Sequence, residues 1–252
     1  MSGHSHWSTI KRAKGASDAK RGQLFTKLAR EITVASRQGG GDQDMNVRLR
    51  LAVQKARENN MPNDNVDRAI KRGSGGGDGG QDTLEETTYE GYGPGGVAIM
   101  LHALTDNRNR TGPEIRSAFS KLGGSLGEMG CVSWNFEQRG VVTAEINPDQ
   151  GEDIAMLAID SGADDFSLES SYLEIYASPE NFDTLRSALE GVGVKVTSAE
   201  MSMVPKNTIT LDFKTANQTL RLLDQLEDLD DVQKVYTNAD FPEEVFLEYG
   251  SR

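Results

Sequence analysis

Residues 141–203 read VVTAEINPDQGEDIAMLAIDSGADDFSLESSYLEIYASPENFDTLRSALEGVGVKVTSAEMSM, and the order of elements within them decides the fold. Val141 to Ile146 predicts a strand, and residues 152–161 a helix stopped at Gly162. Strands over 165–169 and 172–177 follow, and Pro179 at a first helical position opens a helix running to Glu190. A strand over 193–203 closes the series. Strand–helix–strand–strand–helix–strand is the order of a ferredoxin-like unit.

The flanks of this stretch are fragments of a second such unit. Before it, 97–104, 113–122 and 131–137 read as strand, helix and strand; Val97, Ile99 and Leu101 alternate with Ala98, Met100 and His102, so the first strand has apolar residues on both faces. Behind it come a strand over 208–213, a helix over 216–228 with Leu220, Leu223 and Leu226 on one side, and a strand over 232–237. Neither flank has enough strands to form a sheet alone. The expected fold is therefore α+β: an N-terminal helical bundle followed by two ferredoxin-like α/β domains, one inserted in the other. The expected boundaries are 1–75 for the helical domain, 76–82 for a glycine-rich linker, 83–137 with 206–240 for the interrupted domain, 138–205 for the inserted one, and 241–252 for a tail.

The helical domain follows from a 3.6-residue period. Ser17 or Asp18 caps a helix to about Gln38, with Phe25, Leu28, Ile32 and Ala35 as its apolar stripe and Lys20, Lys27, Arg30 and Arg37 on the far side. A second helix spans Asn46 to about Asn60. Pro62 ends it, and a short third helix carries Val66, Ala69 and Ile70 inward before Gly73. The expected product is a small bundle with a positive outside.

Charge divides along the same boundary. The 252 residues carry a net −12, which as an average argues against a polyanionic partner. Residues 1–72, however, hold 15 Lys+Arg and 7 Asp+Glu, a net of +8, and the remainder holds 12 against 32, a net of −20. Such asymmetry marks an arm that faces nucleic acid or a membrane surface, carried on an acidic body. No run approaches the roughly 18 apolar residues of a membrane span, and no signal-peptide h-region is present, so no membrane partner is expected. One Cys excludes a disulfide framework and points to a reducing, cytoplasmic setting.

Basic residues with an interleaved aromatic make the N-terminal segment a phosphate-binding candidate. The residues are Trp7, Lys11, Arg12, Lys14, Lys20, Arg21, Lys27 and Arg30, the indole offering a face for stacking. His4 and His6, without carboxylate or Cys ligands, make a poor metal site, so neither metal nor cofactor is expected. GYGPGG at 91–96 lacks the Lys-Ser/Thr of a phosphate loop and reads as a tight turn. Asp106, Asn107, Arg108, Asn109 and Arg110 form an unusual polar run at a strand end, either a bidentate anion or ligand loop or a turn whose arginines tie domains together. The acidic residues Glu227, Asp228, Asp230 and Asp231 read as a solvated helix end. Nothing in the spacing supports an enzyme.

Several ordered stretches closely resemble the YebC/PmpR family, which includes the mitochondrial translational activator of cytochrome c oxidase. They are GHSHWSTIKRAKGASDAKRG (3–22), FTKLAREI (25–32), ENNMPNDNVDRAIKRG (58–73), YEGYGPGGVAIML (89–101), TDNRNRT (105–111) and GGSLGEMGCVSW (123–134). The resemblance covers nearly the whole chain and implies a helical domain followed by two α/β domains, one interrupting the other. The chain starts at the family's first motif without a mitochondrial presequence, so the bacterial cytosolic form is expected. Cys131 stands where Ser is common in the motif, which tells against thiol chemistry.

The resemblance implies a non-enzymatic regulator of gene expression. The first expectation is a DNA-binding transcriptional regulator. The alternative is a ribosome-associated translation factor on ribosomal RNA, its acidic body facing the ribosome or another basic protein surface. A small-molecule sensor or enzyme using the cleft between the α/β domains is a third reading. No helix–turn–helix signature and no RNP aromatics occur, which favours backbone contact over base reading.

Overall fold

The structure is a computed structural model and describes residues 18–75, 84–168, 172–242 and 244–245, without the side chains of 18–20 and 148. The basic segment forms α1 (Asp18–Gly39), α2 (Val47–Glu58) and α3 (Asn63–Gly73). Asn46 caps α2 by accepting from the Leu49 N–H, while its amide donates to the carbonyls of Ala35 and Gly40 and ties the α1–α2 turn. Leu28, Ile32, Ala35, Leu49, Val53, Ala56 and Val66 bury together in a core belonging to this bundle alone.

The body follows as β1 (Glu85–Tyr92), β2 (Ala98–Thr105), α4 (Arg108–Lys121), β3 (Ser125–Leu126), β4 (Phe136–Glu145), α5 (Gly151–Asp160), β5 (Asp165–Leu168), β6 (Tyr172–Ala177), α6 (Phe182–Gly191), β7 (Lys195–Pro205), β8 (Ile209–Thr210), α7 (Phe213–Glu227), β9 (Val232–Thr237) and β10 (Ala239–Asp240). Two four-stranded antiparallel sheets result, ordered β3-β1-β2-β9 and β5-β6-β4-β7. Strands of the second sheet are contiguous in sequence, and those of the first lie on either side of them. The fold is α+β, helices first and antiparallel sheets after.

Several elements differ from the sequence reading: helix α6 starts at Phe182 behind a turn over 179–181, so Pro179 is not its first residue, and three further differences have a physical reason. In the first sheet the place beside β2 belongs to β1, not to residues 208–213, of which only Ile209–Thr210 pair, in parallel with β10. β1 carries no apolar alternation, since its buried side chain is Glu90. The segments 131–137 and 141–146 do not form separate strands: a 3-10 turn at Ser133–Asn135 leads into one continuous β4. Helix α4 begins five residues before Pro113, capped by Asn107, which accepts from the Arg110 N–H.

Val97, Ile99 and Leu101 face α4 and α7, where Ile115, Phe119, Leu220 and Leu223 cover them. Phe241 and Val245 are buried in that same core, so packing of the first unit continues beyond residue 240. On the opposite face of β2, Ala98 and Met100 pack with Val132, Phe136, Tyr236 and Met203 where the two sheets meet. The inserted unit has its own core around Val142, Leu173, Ile175, Phe182, Leu185 and Leu189. GYGPGG closes the β1–β2 hairpin through Gly93 N–H to Val97 O at 2.8 Å. Gly95 sits at φ 74 with Leu211 2.8 Å from where a Cβ would stand, so a side chain is excluded there twice over. Among the described residues no helix is long and apolar enough to cross a membrane.

Candidate nucleic-acid interface

Trp7, Lys11, Arg12 and Lys14 lie outside the described residues, as do His4, His6 and the side chain of Lys20. Arg21 is exposed at the start of α1. Lys27 and Arg30 do stand opposite the apolar stripe of α1, but that side of the helix meets the body instead of solvent. The Lys27 ammonium donates to the Glu227 carbonyl. Arg30 donates to the Asp230 carbonyl at 2.6 Å and to the Asp231 carboxylate at 2.8 Å. Farther along, Arg37 reaches the Leu84 carbonyl. Gln23, Lys27, Arg30, Val34 and Arg37 recur at helical spacing and form one stripe along the seam.

Asp231 is the centre of this contact. The sequence reading placed it on a solvated helix end; the structure corrects this, for its side chain is 4% exposed. Thr111 donates to it at 2.6 Å, Arg110 at 2.8 Å and Thr105 at 3.2 Å. Burial pushes the carboxyl up, but those hydrogen bonds and the charges of Arg30 and Arg110 outweigh burial and hold it below the usual range. No local pattern announces this, because the partners come from α1, β2 and α4.

The 106–110 run makes structural contacts at this centre. Asn107 caps α4, Arg108 pairs with Glu85 at 2.8 Å, and Arg110 bridges Asp106 and Asp231 at 2.8 Å each. Asn109 is exposed. Together these residues hold the start of α4 against the α7–β9 turn, where Arg30 of the bundle also lands.

A second junction joins all three units. Glu200 of β7 accepts from Lys55 of α2 and from Lys234 of β9, each at 3.1 Å. Burial raises its carboxyl, and the two ammonium groups reverse this and leave it well below the ordinary carboxylate range. Nearby, Arg48 of α2 spans Glu31 and Glu86.

Cations also remain on the outer surface. Arg50 and Arg57, seven residues apart on one side of α2, and Lys71 of α3 are exposed, and among the described residues none has a carboxylate partner. Arg68 is exposed and bonds to Asn65 and Asp64 of its own helix. The seven-residue spacing of Arg50 and Arg57 carries this signal in the sequence.

In the 127–134 loop, Glu90 accepts backbone N–H bonds from Gly130, Val132 and Ser133. Tyr92 and Trp134 both donate to the Cys131 carbonyl, at 2.8 and 2.9 Å. Burial and the Glu90 charge push the Cys131 thiol up, which keeps it protonated. Among the described residues no group of three His, Cys, Asp or Glu is placed to hold a metal.

Family models match both parts of the chain: "TACO1/YebC protein N-terminal domain" over residues 5–76 and "TACO1/YebC second and third domain" over 84–239. The chain belongs to the TACO1/YebC family. A probable transcriptional regulatory protein of Dehalococcoides mccartyi is 54% identical over 252 residues, covering 100% of both chains. One from Halothermothrix orenii is 53% identical and covers 98% of both. A crystal structure of a conserved hypothetical protein from Aquifex aeolicus superposes with a TM-score of 0.80 at 44% identity, covering 90% of this chain and 93% of that one. These two relatives carry the name of probable transcriptional regulators, and the Aquifex aeolicus structure shares the fold.

Proposed function

We infer that the chain is a cytoplasmic, non-enzymatic regulator of gene expression that binds nucleic acid through the phosphates, in the first instance DNA. The observation that carries this is the division of charge, +8 on residues 1–72 against −20 on the rest, together with the outer cations Arg50, Arg57 and Lys71, which have no carboxylate partner among the described residues. Phosphate neutralisation by Lys and Arg provides most of a sequence-independent affinity. The acidic body repels the same polyanion and so orients the bundle toward it. The names of the relatives agree with a regulatory role.

Where the two sheets meet, Met100, Phe136, Tyr236 and their neighbours fill the space with apolar packing, which supports a binding protein over one that works on a small molecule in an interdomain cleft. Crosslinking in cells, followed by sequencing of both bound DNA and bound RNA, tests the reading. Enrichment of promoter DNA supports it, enrichment of ribosomal RNA moves the site to the ribosome, and recovery of neither removes it.

A further inference from the structure

Cations of the helical bundle meet oxygens of the body along the seam between them. From the bundle come Lys27, Arg30, Arg37, Arg48 and Lys55; from the body come the carboxylates of Glu86, Glu200 and Asp231 and the carbonyls of Leu84, Glu227 and Asp230. Gln23 adds longer bonds to the Asp228 carbonyl and Asp230 carboxylate, at 3.4 and 3.5 Å. Among the described residues, the apolar cluster that spans the seam is Val34, Leu84 and Leu104. Each side meanwhile keeps a hydrophobic core that the seam does not enter.

These facts set the energetics. Separating bundle from body breaches no core and exposes one small apolar cluster. What resists separation is three ion pairs, Arg30–Asp231, Arg48–Glu86 and Lys55–Glu200, of which the last two are partly exposed and screened by salt, together with hydrogen bonds from Lys27, Arg30 and Arg37 to backbone carbonyls. The acceptors on the body also share chemistry with a phosphate strand: the oxygens of Glu227, Asp230, Asp231 and Leu84, one of them a carboxylate, follow the line of Lys27, Arg30 and Arg37 along α1.

We propose that this seam is a latch, in which the Lys27–Arg30–Arg37 stripe of α1 is a polyanion-binding surface that the body's own oxygens keep covered until a phosphate backbone or salt displaces them. The proposal rests on the nucleic-acid reading and extends it. The outer cations Arg50, Arg57 and Lys71 make first contact, and release of the bundle then adds the inner stripe. Binding therefore has two strengths, weak when latched and strong when open, and the acidic α7–β9 turn sets the ratio between them.

A short bis-maleimide bridge between Gln23→Cys and Asp230→Cys, in full-length protein carrying Cys131→Ser, tests it. The bridge holds the latch shut. Its binding to duplex DNA is compared with that of the same variant blocked by single maleimides. The latch predicts a loss of affinity of at least about tenfold on bridging; equal affinities overturn it. A second measurement needs no nucleic acid: the bridging rate, normalised to labelling of each thiol, between about 0.05 and about 1 M salt. A fall with salt supports an electrostatic latch, and a constant rate overturns it. Should the unbridged protein ignore DNA, the nucleic-acid reading fails, and the salt series alone still decides the latch.

Discussion

Arg30 of α1 donates to the Asp231 carboxylate across the seam at 2.8 Å, and Asp231 in turn gathers Thr105, Thr111 and Arg110 of the body. One acidic side chain thereby fixes the start of α4, the entry to β9 and the position of the basic domain. Replacing it removes an acceptor from four donors at once. Asp231→Ala is expected to lower stability by about 2–3 kcal/mol, whereas Arg30→Ala, at the edge of the network, costs about 1 kcal/mol. Denaturant unfolding of both variants measures this, and equal effects would show that Asp231 has no central role.

Glu200 links three units but is about one third exposed, so its ion pairs are screened. Glu200→Gln is expected to reduce stability by no more than about 1 kcal/mol, with an effect that shrinks as salt rises. Thermal unfolding at low and high salt reads it. A loss independent of salt would mean packing, and not charge, holds this junction.

His102 of β2 lies across from Lys234 of β9 and stacks edge-on against Tyr236, with ring centroids 5.3 Å apart. Burial, then the Lys234 charge, lowers its pKa, against weaker upward pulls from Glu86 and Glu31. The folded state therefore favours neutral His102. Stability contributed by that preference is present above the ordinary value of 6.5 and is lost as pH falls below it toward the lowered folded value. His102→Gln should flatten this part of the stability–pH curve. Asp231 and Glu200, also lowered, bring a separate decline at more acidic pH, below the ordinary carboxylate values of 3.8 and 4.5. That second decline should survive in His102→Gln; its loss would mean that the two titrations are not independent.

Gly140 lies in the middle of β4, where a Cβ would overlap the Phe182 ring of α6. Gly140→Ala is expected to destabilise the inserted unit by about 1–3 kcal/mol. Hydrogen exchange should show the increase over residues 136–205 and little change in α1–α3.

The same glycine shows where sequence reading stops. Residues 138–140, Gln-Arg-Gly, look like a break between two strands, yet the chain runs straight through because Gly140 makes room for Phe182. Helices α1–α3 and the strand–helix order of 141–203 were legible because their apolar residues repeat locally. β1 was not, since Glu90 is buried by three loop N–H groups and Gly91 is pressed against Phe119, neither of which leaves a periodic trace. In the candidate interface the charge division was legible, and so was the far-side placement of Lys27 and Arg30. What those residues face was not, because their partners stand about 200 residues away in sequence.

The central claim is that the bundle grips phosphates with cations that the body leaves unpaired. The most direct test is the salt dependence of binding to duplex DNA and to ribosomal RNA, for the native chain and for Arg50→Ala/Arg57→Ala/Lys71→Ala. Each phosphate contact adds about 0.9 to the slope of log affinity against log salt on duplex DNA. The account predicts that the triple variant binds more weakly and that its slope on duplex DNA falls by roughly 2–3. An unchanged affinity and slope would contradict it.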